Sequence, residues 1–323
     1  MERRTPLARL TEPVLSGTLD WMIVYIDANL YDHIEKGDRM PPEHRVPAEH
    51  CAAFRDARLS GRLSAYLSLT NVEELLGDWD RPERRPAAIR RLRHARDLVG
   101  FDSILKPPNI LMAEAIRAYA EGLPAPSPYL LPGDEQRGRI IDMLTSVADG
   151  KDEYTGLVLE TVAAVRAMKA GSKVEMENAT RQARAGIATL PPAERTPSWA
   201  NFRTDADHWA LALAAHDGLA DACRARGVDG LLGVRAVGLT VGAMQSMVYA
   251  LSVERRAPRN GDGYDLWHAQ QASAAEVFVT HDGELARRLN RIPVVGFTVV
   301  GSLWPIPPTD VSAGEHTTSA RTS

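Results

Sequence analysis

Residues 22–26 (MIVYI) are apolar or aromatic without a polar break, and Asp27 follows them directly. A strand with one face in water alternates apolar and polar residues. This run does not alternate, so it must be buried on both faces, as in a parallel sheet whose crossover helices cover each side. Residues 47–61 (PAEHCAAFRDARLSG) open on Pro and close on Gly, the asymmetry of a helix. Residues 63–70 (LSAYLSLT) read as a second strand leading into residues 71–77 (NVEELLG), a helix capped by Asn71 and stopped by Gly77. Strand and helix therefore alternate, which predicts an α/β fold with a mainly parallel central sheet.

From residue 81 to 260 that alternation lapses. Residues 86–100, 108–122, 152–190 and 205–227 read as helices between Pro and Gly punctuation, with no strand among them. It resumes over 261–301 with a helix at 264–275, the strand EVFVT, a helix from 283 and a closing strand VVGFTVV. The pattern predicts a discontinuous core made of 22–80 and 257–302. Some helices of 81–122 and 230–256 complete it, and 123–229 form a helical insertion. Residues 1–21 read as a flexible leader, with Met22 as an alternative start, and the Pro-, Ser- and Thr-rich 303–323 as a disordered tail.

Bulk composition narrows the function classes. A formal net charge of −4, with 44% hydrophobic and 25% charged residues, is that of an ordinary soluble domain and not of a basic nucleic-acid coat protein. Nucleic-acid contact requires a local patch, and residues 81–96 (RPERRPAAIRRLRHAR) offer either guanidinium groups for phosphate or a surface of ion pairs. Cys51 and Cys223 lack CxxC spacing, which argues against a disulfide framework or a cysteine zinc site and fits a reducing cytoplasm. Residues 231–253 have the length of a bilayer span but carry Arg235 and Gln245, so they read as a buried helix pair. His208 and His216, at i and i+8 of one helix, are spaced wrongly for a single ion.

Ligands of open parallel sheets bind outside the carboxyl ends of the strands. Asp27 follows the first strand, Asp282 follows VFVT, Asp265 lies in the first turn of the intervening helix, and Glu74 or its neighbour Glu73 follows the second strand. Taken singly, Asp265 and Asp282 are equally suited to capping helices, and Glu73 and Glu74 to a solvated face. Asp27 is different, because a turn there needs no acid. Clustered carboxylates repel unless a cation sits among them. Oxygen donors suit Mg²⁺ or Mn²⁺, and the chemistry that follows is metal-assisted phosphodiester hydrolysis.

The segments VYIDANLYDHIEKG, LSLTNVEELLG, YDLWHAQQASAAEVFVTHDGEL and PVVGFTVV, in that order, resemble PIN-domain nucleases, including VapC-type toxin ribonucleases. The resemblance implies a PIN-like three-layer α/β/α domain, here interrupted by a mostly helical insertion, and a Mg²⁺- or Mn²⁺-dependent ribonuclease. It implies Asp27, Glu74, Asp265 and Asp282 as catalytic metal ligands, Asn29 and Thr280 as supporting residues, and Glu73 as the alternative to Glu74. His268 matches a His three residues after the third acid and reads as a packed helix histidine. RNA is the implied substrate, with an antitoxin protein and a second copy of the chain as further partners. A non-catalytic module binding RNA or protein is the alternative. A phosphatase with Asp27 as nucleophile is disfavoured, since Asn29 stands where its second acid belongs. The insertion departs from compact toxins of this type; Asp32 and Glu35 read as ordinary surface charges.

Overall fold

A computed structural model describes residues 22–202, 205–259, 261–292 and 296–306. The leader 1–21 and residues 307–323 of the tail lie outside the described residues. The chain begins β1 (Met22–Ile26), α1 (Ala28–Lys36), α2 (Ala48–Leu59), β2 (Leu63–Tyr66) and α3 (Leu69–Leu75). Helices follow: α4 (Arg85–Leu98), α5 (Pro108–Glu121), α6 (Glu135–Ala148), α7 (Thr155–Thr189), α8 (Trp199–Phe202), α9 (Ala206–His216), α10 (Ala220–Arg226), α11 (Val228–Gly233) and α12 (Arg235–Ser252). The chain closes with α13 (Asp262–Ala272), β3 (Val277–Val279), α14 (Gly283–Leu289) and β4 (Thr298–Val300).

The four strands form one all-parallel sheet in the order β2-β1-β3-β4. The uninterrupted apolar run of β1 is explained by its place: it is central, and both faces are covered. Val24 and Ile26 enter one core with Leu30, Phe54, Leu92, Leu144 and Val158, from α1, α2, α4, α6 and α7. Tyr25 faces the other side with Leu239, Ala269, Phe278 and Leu285, from α12, α13, β3 and α14. Its ring stacks on Tyr66 and Phe278, with centroids 5.3 and 5.4 Å away. Full burial of side chains of this size stabilises by roughly 1.5–3 kcal/mol each, so β1 holds the two layers together. A third core joins α5, α9, α10, α11 and α12 through Met112, Ile116, Ala210, Cys223, Leu231 and Val241.

Local chemistry sets several boundaries differently from the sequence expectation. Strand β2 ends at Tyr66, because Ser68 rather than Asn71 caps α3. The Ser68 hydroxyl accepts from the Asn71 backbone N–H at 3.0 Å, and the Asn71 side-chain oxygen accepts from the Ser68 N–H at 3.2 Å, a reciprocal capping box. Asn71 also donates to the Ile26 carbonyl at 3.1 Å, fixing α3 to the end of β1. The expected helix at 205–227 breaks at Gly218, where φ is +71°, into α9 and α10. Residues 231–253 divide between α11 and α12. No helix among the described residues is long and apolar enough to cross a membrane.

Two other expectations are corrected. Residues 303–306 are not a disordered tail: Leu303 is buried, and Trp304 and Ile306 pack on the first core. These apolar side chains find a surface beside β4 that a reading of composition cannot foresee. Asp32 and Glu35 are not free surface charges either. Arg91 pairs with Asp32 at 3.2 Å, and Arg90 with Glu35 at 2.7 Å, the Glu35 side chain being only 4% exposed. Arg96 pairs with Asp149 at 2.9 Å, so the arginine-rich α4 clamps α1 and α6 rather than presenting all its guanidinium groups to phosphate.

Candidate metal centre

Asp27 occupies the N-cap position of α1, yet its side chain makes no capping hydrogen bond. Its backbone N–H continues the ladder to the Val279 carbonyl at 2.9 Å, so the sheet fixes its main chain and leaves its carboxylate for other partners. Those partners come from the far end of the chain. The Thr280 hydroxyl donates to Asp27 Oδ2 at 2.6 Å across 253 positions of sequence. Thr280 Oγ1 in turn accepts from the Asp282 N–H at 3.0 Å and the Asn29 amide at 3.5 Å. Asn29 therefore reaches Asp27 through Thr280.

Glu74 and Glu73, adjacent on α3, point to different neighbours. Glu74 Oε2 lies 2.9 Å from His268 Nε2, and the same nitrogen is 3.6 Å from Asp27 Oδ1. Glu73 instead accepts from the Tyr264 hydroxyl at 3.0 Å. Asp27, Glu74 and His268 each offer one ligand atom, and those atoms all lie within 4.8 Å of one another. Lys169, from α7 in the helical span, places its ammonium 3.5 Å from Glu74 Oε1 and 3.7 Å from the centre of the Tyr264 ring.

The other two acids are engaged elsewhere. Asp265 is ion-paired with the buried Arg288. Asp282 is the N-cap of α14, its Oδ1 accepting from the N–H groups of Glu284 and Leu285 at 2.8 and 2.9 Å. Both are nonetheless close enough to act on the others electrostatically. Burial raises the Asp27 pKa, and the charges of Glu74 and Asp282 add to that, against His268 and Thr280. Burial also pushes Asp265 up to about 6, although Arg288 opposes it.

His268 is packed, as the sequence suggests, but both ring nitrogens are spent on the site. The Tyr25 hydroxyl lies 2.7 Å from His268 Nδ1, 2.8 Å from Ser68 Oγ and 3.4 Å from Gln271 Oε1. In the imidazolium, Nδ1 donates to the Tyr25 oxygen and Nε2 faces the two carboxylates. A neutral ring with its proton on Nδ1 presents the Nε2 lone pair to them, which is the arrangement of a metal-ligating histidine held by a hydrogen bond on its other nitrogen.

Burial alone pulls the His268 pKa down; Asp27, the hydrogen bond to Glu74 and the charges of Glu74 and Asp265 outweigh it and bring the ring to about 9. Burial pushes Glu74 up, but His268 and Lys169 hold it below the usual range. Without a metal, the imidazolium is thus the cation among the acids. A histidine raised above its unfolded value of about 6.5 adds stability that is complete below that pH and is lost as pH rises through about 9. In EDTA, the denaturation midpoint is expected to decline between pH 6.5 and 9. A midpoint that stays level or rises over that window would show that His268 is not the counter-cation.

The chain matches no family model, no curated protein and no solved structure. What the site can do therefore rests on its own chemistry. The donor set fits a divalent ion: two carboxylate oxygens and one imidazole nitrogen. Mixed oxygen and imidazole donors favour Mn²⁺ over Mg²⁺, which prefers oxygen alone. Lys169 and Arg288 escaped the sequence reading. Nothing in the periodicity of a 35-residue helix marks one lysine as facing a site, and Arg288 resembles any last-turn cation of a helix.

Proposed function

We propose that this protein is a metal-dependent ribonuclease of PIN type, with the sheet and its two helical layers as a three-layer α/β/α core. The observation that carries the proposal is the meeting of Asp27, Glu74 and His268 within 4.8 Å at the carboxyl ends of parallel strands. Asp27, Glu74 and His268 would hold the ion. A bound divalent ion lowers the pKa of coordinating water and neutralises charge on the scissile phosphate.

The remaining roles belong to the chain itself. Thr280 holds Asp27 by one oxygen, leaving Oδ1 to face the site. The Tyr25 oxygen can accept the Nδ1 proton of His268, which leaves Nε2 to give up its proton when an ion enters. Lys169 stands at the same rim and can leave Glu74 for a phosphate oxygen, bringing the helical span into substrate binding. Asp282 and Asp265 lie at the edge of this group and supply further negative charge toward it.

The test is cleavage of a fluorophore-labelled single-stranded RNA with the metal varied. Cleavage is expected with Mn²⁺, is lost in EDTA, and returns when Mn²⁺ is restored, in parallel with a Mn²⁺-dependent rise in melting temperature. Cleavage undiminished by EDTA sinks the metal-dependent assignment. RNA binding without cleavage under all metals points instead to a binding module.

A further inference from the structure

On the other side of the β3–α14 loop, three histidines from separate segments converge: His33 in α1, His44 in the short 3-10 turn before α2, and His281 in the loop itself. Their candidate ligand nitrogens all lie within 4.8 Å of one another. The His33 and His281 Nδ1 atoms are 2.8 Å apart, and the His44 ring centre is 5.4 Å from that of His33 and 6.2 Å from that of His281. A single shared proton accounts for the close pair but not for the third ring. Asp32, the acid that bears on His33, is already engaged by Lys36 at 2.5 Å and Arg91 at 3.2 Å.

We infer that His33, His44 and His281 form a second metal site, selective for a borderline d-block ion such as Zn²⁺. Three imidazoles without a carboxylate suit Zn²⁺ and offer nothing to Mg²⁺. Zn–N bonds of about 2.0–2.1 Å set the nitrogens of a tetrahedral ion about 3.3 Å apart, so the close pair must part by roughly 0.5 Å. All three residues are partly buried rather than sealed in the core, so an ion can reach them from solvent. Since Thr280 and Asp282 flank His281, an ion here would pin the loop that supports Asp27. The site stands independently of the proposed nuclease chemistry.

The test uses tag-free full-length protein, Zn²⁺ in calorimetric titration and Co²⁺ as a spectroscopic probe. Wild type is expected to bind one equivalent of Zn²⁺ at this site and to give the visible absorption of tetrahedral Co²⁺. His44→Ala, a change on a short turn, and His33→Ala should each weaken Zn²⁺ at least tenfold and abolish the Co²⁺ band. The double variant Asp27→Asn, Glu74→Gln should keep both signals. Absence of Zn²⁺ binding in wild type overturns the inference, and so does Zn²⁺ affinity that follows Asp27 and Glu74 but ignores His44.

Discussion

Asp27→Asn is expected to lower Mn²⁺-dependent RNA cleavage by roughly a thousandfold and to remove most of the Mn²⁺-induced rise in melting temperature. The substitution keeps the shape of the side chain and removes its charge. Asparagine can still accept the Thr280 hydroxyl, and the backbone bond to Val279 is untouched. In EDTA the variant should still fold, with a midpoint lowered by the loss of one of the two carboxylates that face His268, and far-UV circular dichroism separates loss of chemistry from loss of fold. Glu74→Gln should behave in the same way. Glu73→Gln, whose carboxylate is turned to Tyr264, should retain activity within a few-fold. Full activity in Asp27→Asn removes that residue from the reaction, and equal losses in the two glutamate variants would mean that geometry does not distinguish them.

The second large effect concerns stability. His268→Ala is expected to lower the stability of the metal-free protein by about 3 kcal/mol at pH 7, because it leaves the buried Asp27 without its cation and Glu74 with Lys169 alone. Part of any such loss is the cavity left by a buried ring, and pH separates the two contributions. Wild-type His268 itself loses its charge near pH 9, so the gap between wild type and variant should narrow as the pH is raised from 7 to 9.5. Urea denaturation in EDTA at both pH values measures this. A gap that does not change with pH assigns the whole cost to packing.

Much of the fold follows from local pattern. The unbroken apolar run of β1 requires cover on both faces, and the alternation at either end of the chain produces the parallel sheet. Asp27 stands out in the sequence because no turn requires it, and its unused N-cap position has the same basis. Short-range pattern was less secure where two residues competed for one role. Ser68 won the α3 cap from Asn71 because Asn71 is needed three residues further on, where it reaches the Ile26 carbonyl. Leu303 could not be recognised as core, since the surface it covers is assembled from distant segments.

Asp27, Glu74, Asp265 and Asp282 are placed on the rim of the sheet by the strand and helix ends that periodicity reveals. Packing sets what each carboxylate meets. Arg288 claims Asp265, the backbone of α14 claims one oxygen of Asp282, and Tyr264 draws Glu73 away. It also brought His268 between Asp27 and Glu74, placed the Tyr25 hydroxyl against the other ring nitrogen, and carried Lys169 in from α7. The difference is one of range. Periodicity and capping act over a few residues, whereas the charge state of a buried group depends on every side chain that packing brings within a few ångströms of it.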